Sequence, residues 1–277
     1  MEPKVSVIIP CYNHGLFVRE AIRSVEECSD KYLYEIIILN DGSTDIYTIE
    51  VLQQLAAEGY HVISQCNQGL GAARNNAIKE ARGEYILPLD SDNKICSDYI
   101  YESIRILDEQ PGIAMVYGDV EYFGKKSGRH IVGEFNLQKI MIGNIIDACA
   151  VYRKSVWEAL GGYDEKMPVM GFEDWDLWLN MALHRYEFYY IPKVLFHYRV
   201  LDSSMLNSIK QNDTVVLGKY MQSKYKKYLS QDHINNTLLN LGRNNKMLAL
   251  KLFLASAFPG ALEFLVKNRI IKSRNII

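Results

Sequence analysis

The sequence lacks the cysteine pairs that would close disulfides or hold zinc. Its 277 residues include five cysteines, Cys11, Cys28, Cys66, Cys96 and Cys149, an odd number with no CxxC pair and no zinc spacing. Reduced thiols in a cytosolic protein are the expectation. No secretory signal is expected either, because Met1-Glu2-Pro3-Lys4 runs directly into the strand-like Val5-Ser6-Val7-Ile8-Ile9 and leaves no room for a charged region and an apolar signal core. Long apolar runs are also scarce. The stretch from Met247 to Phe258 falls short of the ~20 residues a bilayer span needs, and extending it to Val266 takes in Lys251, Pro259, Gly260 and Glu263. No transmembrane helix is expected, and there is no internal repeat or low-complexity segment.

Net charge is small, −2 for the whole chain, but it is unevenly spread. Residues 201–277 hold 12 Lys and Arg against 4 Asp and Glu, a net of +8, which leaves −10 for residues 1–200. An acidic body argues against nucleic acid as a partner and suits metal binding, whereas a basic tail suggests an anionic surface. The length allows one large core with an appendage.

What is present is an alternation of strand and helix signals. Val5 to Ile9 is β-branched and apolar and stops at Pro10, after which Ala21, Ile22 and Val25 recur at helical spacing. Tyr34 to Leu39 is a second apolar run, closed by the turn formers Asn40 to Asp45 before a helical Thr48 to Ala57. A strand over His61 to Ser64, a turn at Gly69-Leu70-Gly71 and a helix over Ala72 to Ala81 lead to an apolar run starting at Tyr85. Such alternation predicts a parallel sheet with right-handed crossovers. Beyond Asn93 the pattern turns mixed. It gives a helix over Tyr99 to Asp108, a strand at Ala114 to Tyr117, hairpin material over Val120 to Glu134, a strand at Cys149 to Tyr152 and a turn at Gly161 to Asp164. Gly171 to Leu179 enters a helix with acids in its first turn, where the helix dipole favours them. Phe188 to Ile191 and Val194 to Tyr198 close the body as strands.

Chemistry concentrates at Leu87-Pro88-Leu89-Asp90-Ser91-Asp92-Asn93, where an apolar run ends in two carboxylates one residue apart. Ligands of open α/β sheets bind beyond the carboxyl ends of the strands. Asp90 and Asp92 there can turn oxygens toward one hard cation, Mg²⁺ or Mn²⁺, shared with substrate phosphates. The same residues also read as an Asp-rich turn with Asn93 as a helix cap.

Taken together, Val7 to Asn13, Asn40 to Asp45, Gly71 to Asn75, Leu89 to Asp92 and Gly171 to Asp174 closely resemble, in order and spacing, the family 2 glycosyltransferases of the GT-A fold. The resemblance covers about the first 200 residues and not the tail. It implies an α/β protein with a Rossmann-like, mostly parallel central sheet flanked by helices and a mixed second half, to which the helix-compatible sequence from Leu201 adds a C-terminal helical extension. Residues 1–200 would be the catalytic domain, with 1–93 the nucleotide-binding half and 94–200 the acceptor-binding half. Residues 201–277 would be a basic, mainly helical extension.

The resemblance also implies roles. Pro10, Tyr12 and Asp41 hold the nucleotide base, the Asp41 carboxylate accepting from a uracil N–H; shaping an Asp-Gly turn is the plainer alternative. Arg74 contacts the nucleotide or diphosphate through its guanidinium, although alone it would read as a solvated helix arginine. Asp90 and Asp92 map onto the DxD motif, in which the second acid ligates the metal directly and the first addresses sugar or ribose. The cation neutralises charge developing on the departing nucleoside diphosphate. Asn93 stands where many relatives carry a third Asp. His197 matches a late histidine that completes the metal site in some relatives, and imidazole suits Mn²⁺ better than Mg²⁺; a structural strand histidine is the alternative.

Asp174 maps onto the catalytic aspartate of the ED motif, which takes the acceptor hydroxyl's proton in a single inverting displacement. Glu173 orients acceptor or backbone, though a preference for helix N-termini would explain both acids. Trp175 and Trp178 read either as a sugar-binding wall or as core.

The function implied is a metal-dependent inverting transfer from a nucleotide-diphospho-sugar, with UDP the expected nucleotide. The acceptor is a hydroxyl of a glycan or lipid-linked molecule in cell-surface polysaccharide biosynthesis. The site of action is the cytoplasm. Residues 201–277 either dock on the body or a partner, or make peripheral contact with the inner face of the membrane; a homo-oligomer is left open. Three rivals fit less well. A DxD-nucleophile phosphatase would carry its motif on the first strand followed by Thr. A sugar-phosphate nucleotidyltransferase would have a Gly-rich, basic first loop, which Cys11-Tyr12-Asn13-His14-Gly15 is not. A non-catalytic nucleotide-sugar binding protein would not need both Asp92 and Asp174.

Overall fold

The alternating signals of the first ninety residues become a parallel half-sheet. In the computed structural model, which describes residues 2–28, 30–141, 143–202 and 211–228, the order is β1 (Val5–Cys11), α1 (Gly15–Glu26), β2 (Tyr34–Asp41), α2 (Ile46–Ala57), β3 (His61–Gln65), α3 (Leu70–Lys79) and β4 (Tyr85–Pro88). β2 and β4 flank β1 and β3 lies beyond β2, all in parallel. β1 is buried along its whole length, which is why it reads as one apolar run. Its alternate residues face opposite layers: Val5, Val7, Ile9 and Cys11 join a core with α1 and α2, while Ile8 joins another with α3.

The second half is mixed, as expected. It runs β5 (Lys94–Ile95), α4 (Tyr99–Glu109), β6 (Ile113–Gly124), β7 (Gly128–His130), α5 (Leu137–Ile140), β8 (Val151–Arg153), α6 (Lys154–Leu160), α7 (Glu173–Leu183) and β9 (Glu187–Val200). These strands extend the same sheet, giving the order β3-β2-β1-β4-β8-β6-β9-β5, with β7 paired to β6. β8 is antiparallel to both β4 and β6, whereas β9 runs parallel to β6.

Two details differ from the sequence reading. The strands expected at 188–191 and 194–198 are one strand, β9, that bulges between them. Gly118 pairs with Ile191 and Asp119 with Val194, so Pro192 and Lys193 are looped out of the ladder. Proline has no N–H to donate, so it falls where pairing is interrupted. The tryptophans of α7 are core and not a sugar wall. Trp178 is fully buried with its Nε1 donating to the Ile146 carbonyl at 3.2 Å, and Trp175 donates to the Ile140 carbonyl at 2.6 Å. Both indoles thus bolt the chain at Ile140 and at Ile146 onto α7.

Among the described residues of the extension is α8 (Gln211–Lys224). Its Leu217 and Met221, with Tyr225 just beyond, are buried in the same core as α7. Docking therefore holds for this part of the tail, while the apolar stretch from Met247 lies outside the described residues. Among the described residues no helix is long and apolar enough to cross a membrane. Truncating the buried indole in Trp178→Ala is expected to cost about 3–5 kcal/mol. Urea unfolding checks this, and a loss below about 1 kcal/mol would remove Trp178 from its place as a core anchor.

Candidate active site

Three strand mouths, those of β1, β2 and β4, meet at one edge of the sheet. Asn13 follows β1 in the left-handed region, at φ 56°, which Asn tolerates. Its Oδ1 accepts from Thr44 N at 2.8 Å and Asp45 N at 2.9 Å, so the loops after β1 and β2 are one unit. Gly15 is required by the same junction, because a Cβ there would stand 2.6 Å from Thr48 Cα.

Pro10 is buried within β1 opposite Leu39, and Tyr12 projects with 46% of its surface exposed. Asp41, at the end of β2, is buried and braces the next loop. Its Oδ1 accepts from Gln65 Nε2 at 2.8 Å and Gln68 N at 2.9 Å, and its Oδ2 from Gly69 N at 3.0 Å. A carboxylate has about four lone-pair sites, so three bonds leave one for a ligand. The turn-shaping alternative is thus partly realised, though it is the 65–69 loop that Asp41 holds.

β4 delivers the acid pair as expected. Asn93 N donates to the Asp90 carbonyl at 2.9 Å, closing a tight turn. Asn93 is no helix cap, because its Oδ1 accepts from Arg199 N of β9 at 2.8 Å. Arg74 stands one step further back than a direct nucleotide contact. Its side chain is 2% exposed, its Nη2 donates to Asp90 Oδ1 at 2.7 Å, and its guanidinium lies 5.5 Å from the Tyr163 ring centre. Its buried Nε has no partner among the described residues. Asp92 has a different environment. Among the described residues no side chain donates to its carboxylate, and burial, then the Asp90 charge, pushes it up to about 6, against the pull of His14 and Arg199.

The second wall of the site is the start of α7. Gly171, at φ 92°, turns the chain, and its N–H donates to Glu173 Oε2 at 2.9 Å, so Glu173 orients backbone. Asp174 is 7% exposed, and Asn144 Nδ2 donates to its Oδ2 at 2.8 Å. Burial pushes Asp174 up to about 6; the Arg74 charge and the Asn144 hydrogen bond oppose this, and Glu173 adds to it. Sequence reasoning missed two groups here. Asn144 fixes the Asp174 carboxylate, and Asp147, whose Oδ1 accepts from Cys149 N at 3.0 Å, is pushed up to about 7 by burial and then by Asp90, with Asp174 adding to it. Both sit on the segment that Trp175 and Trp178 bolt to α7, a link between residues about thirty apart that no local pattern announces.

His197 lies on β9 opposite Lys94 of β5. Its ring meets Cys96 Sγ at 3.6 Å and Glu121 at 3.5 Å, while the histidine acting on Asp92 is His14. Among the described residues there is no group of three or more His, Cys, Asp or Glu side chains that would cage an ion. The fit is instead to a cation held by one or two carboxylates and completed by substrate oxygens, the usual arrangement for Mg²⁺ with phosphates. Asp92, with no side-chain donor to its carboxylate among the described residues and held up by burial and like charge, suits that use.

A mixed sheet with an acid pair at a parallel strand mouth, facing an acid-led helix, defines a GT-A type transferase fold. The chain belongs to glycosyl transferase family 2, whose family model matches residues 6–161. It is 25% identical to chondroitin synthase of Pasteurella multocida over 312 aligned positions, covering 99% of this chain but only 31% of that enzyme. Among solved structures it is similar to S. aureus TarS 1-349 in complex with UDP-GlcNAc, with a TM-score of 0.71 at 18% identity, covering 91% of this chain and 73% of that one. It is also similar to the mannosyltransferase PcManGT from Pyrobaculum calidifontis in complex with GDP-Man and Mn²⁺, with a TM-score of 0.56 at 16% identity, covering 94% and 82%. At these identities the likeness to the two solved structures shows the fold.

Asn144 is expected to lower the affinity of Asp174 for its proton by donating to the charged form. Asn144→Ala should therefore move the Asp174 titration upward from about 6, followed by carboxyl-carbon NMR. An unmoved or lowered titration would show that this bond does not act on Asp174.

Proposed function

We propose that the chain is an inverting, metal-dependent glycosyltransferase that moves a sugar from a UDP-sugar to a hydroxyl of a growing polysaccharide or lipid-linked glycan. The observation that carries this reading is Asp174, a buried carboxylate oriented by Asn144 and electrostatically tied through Arg74 to the acid pair at the β4 mouth. The TarS complex with UDP-GlcNAc supports the nucleotide, the PcManGT complex with Mn²⁺ supports the metal, and chondroitin synthase supports a polysaccharide acceptor.

The chain's residues divide the work. Tyr12 offers an exposed ring and Asp41 one remaining acceptor site, which suits a pyrimidine with an N–H edge. Asp90, held by Arg74, would address the donor's sugar or ribose. Asp92 would hold the cation, with Asp90 beside it; when bound, that cation supplies charge neutralisation at the leaving diphosphate. Asp174 accepts the proton of the acceptor hydroxyl as that oxygen attacks the anomeric carbon, and one displacement inverts the centre.

A carboxylate near 6 is ionised at neutral pH yet basic enough to draw a proton, so turnover should rise with pH through about 6 and level off above it. The test combines two measurements. A thermal-shift screen of UDP-, GDP- and dTDP-sugars with divalent metal identifies the donor by its stabilisation of the fold. Asp174→Asn should then keep donor affinity while turnover falls by about 10²–10⁴ and the acidic limb disappears. Wild-type turnover in that variant would remove Asp174 from the role of base.

A further inference from the structure

Behind the catalytic helix two acids share one cation. Asp176, two positions after Asp174 in α7, is 2% exposed, and Asp164 follows the Gly161-Gly162 turn. Lys224, the last residue of α8, donates to Asp176 Oδ2 at 2.8 Å and also pairs with Asp164 Oδ2. Two tyrosines complete the contact: Tyr220 donates to Asp164 Oδ2 at 2.7 Å and Tyr225 to Asp176 Oδ1 at 2.8 Å. Tyr220 and Lys224 are one turn apart on α8 and Tyr225 follows directly, so the end of α8 meets both acids. A buried carboxylate stripped of its cation is strongly unfavourable, and here removal would leave two facing each other.

Those acids are placed to matter for the site. The segment from Gly161 to Gly171 turns through positive φ at both ends, 82° and 79° at Gly161 and Gly162 and 92° at Gly171, and between them it lies over the start of α3. Met170 Sδ is 3.3 Å from where a Gly69 Cβ would stand, and the Asp164 carbonyl is 3.3 Å from where a Gly71 Cβ would stand. Gly69 N is bonded to Asp41, and Arg74 is one turn along the same helix. One end of the segment is thus tied to α8, its middle lies on the nucleotide side, and its other end leads into Asp174.

Resting on the transferase reading above, we propose that α8, outside the 6–161 span of the family match, is a working part of the transfer site. Lys224 is its positioning residue, bridging Asp164 and Asp176 so that the 161–171 segment and the Asp174 helix keep one fixed separation. It touches no reacting atom; its effect is on geometry.

The test uses the full chain with Lys224→Met and Lys224→Arg, and Tyr220→Phe as a milder variant that removes only one hydroxyl should Lys224→Met fail to fold. Amide hydrogen exchange is measured first, because it does not depend on the donor. Lys224→Met, or to a lesser degree Tyr220→Phe, should speed exchange across residues 161–176 at least tenfold while leaving β1 to β4 unchanged, and Lys224→Arg should restore protection. Release of UDP from UDP-N-acetylglucosamine, with water as acceptor, should fall at least tenfold in Lys224→Met while UDP affinity stays within threefold, with recovery in Lys224→Arg. Unchanged exchange over 161–176, or faster exchange with an unchanged release rate, would overturn the proposal. A wild-type chain that releases no UDP would count against the donor reading, and the exchange result would still decide the bridge.

Discussion

A shortage of positive charge governs this site. Asp90, Asp92, Asp147, Glu173 and Asp174 converge on one region, and Arg74 is its buried cation, pairing with Asp90 and opposing the upward push on Asp147 and Asp174. A guanidinium can serve there because it stays charged when buried. Its position is fixed by its neighbour in sequence. Asn75 uses its amide fully: Nδ2 donates to the Tyr163 carbonyl and Glu165, and Oδ1 accepts from Trp157 Nε1 and Tyr163 N. Gly162 allows that approach, since a Cβ would stand 2.7 Å from Asn75 Oδ1. The Arg74-Asn75 pair thus joins α3 to the loop before α7, and with it the β4 mouth to the start of α7.

The balance is still negative, which gives the carboxylates their separate characters. Asp90 is matched by Arg74. Asp92 and Asp147 have no side-chain donor among the described residues and are pushed up by burial and like charge, as a cation-seeking and a proton-holding group would be. Asp174 lies between these cases, pushed up by burial but restrained by Arg74 and Asn144. Environments that separate neighbouring acids in this way are how one site supplies both a metal ligand and a base.

Much of the architecture was legible in the sequence because it is written locally. Apolar runs closed by turn formers located β1, β2 and β4, and the acids at 90, 92, 173 and 174 stood at the strand mouth and helix start where they were expected. What was not legible depends on partners distant in the chain. Nothing near Arg74 says that it is buried against Asp90, and nothing near Asn144 points to Asp174 thirty positions on. Lys224 reads as one of many tail lysines until α8 docks. His197 shows the same limit, since a motif match suggests a metal role for it and says nothing of the contacts its ring makes with Cys96 and Glu121. Position on an element is a matter of local pattern, while side-chain company is decided by the packing of the whole sheet.

If the negative balance is the organising constraint, the donor diphosphate cannot enter alone and must bring a divalent cation to Asp92. Titration calorimetry of UDP binding, in Mn²⁺ and then in EDTA, measures this directly. The account predicts binding in Mn²⁺ that is lost in EDTA, and an Asp92→Asn variant in which the two conditions converge. Equal UDP affinity with and without metal in the wild-type chain would contradict it.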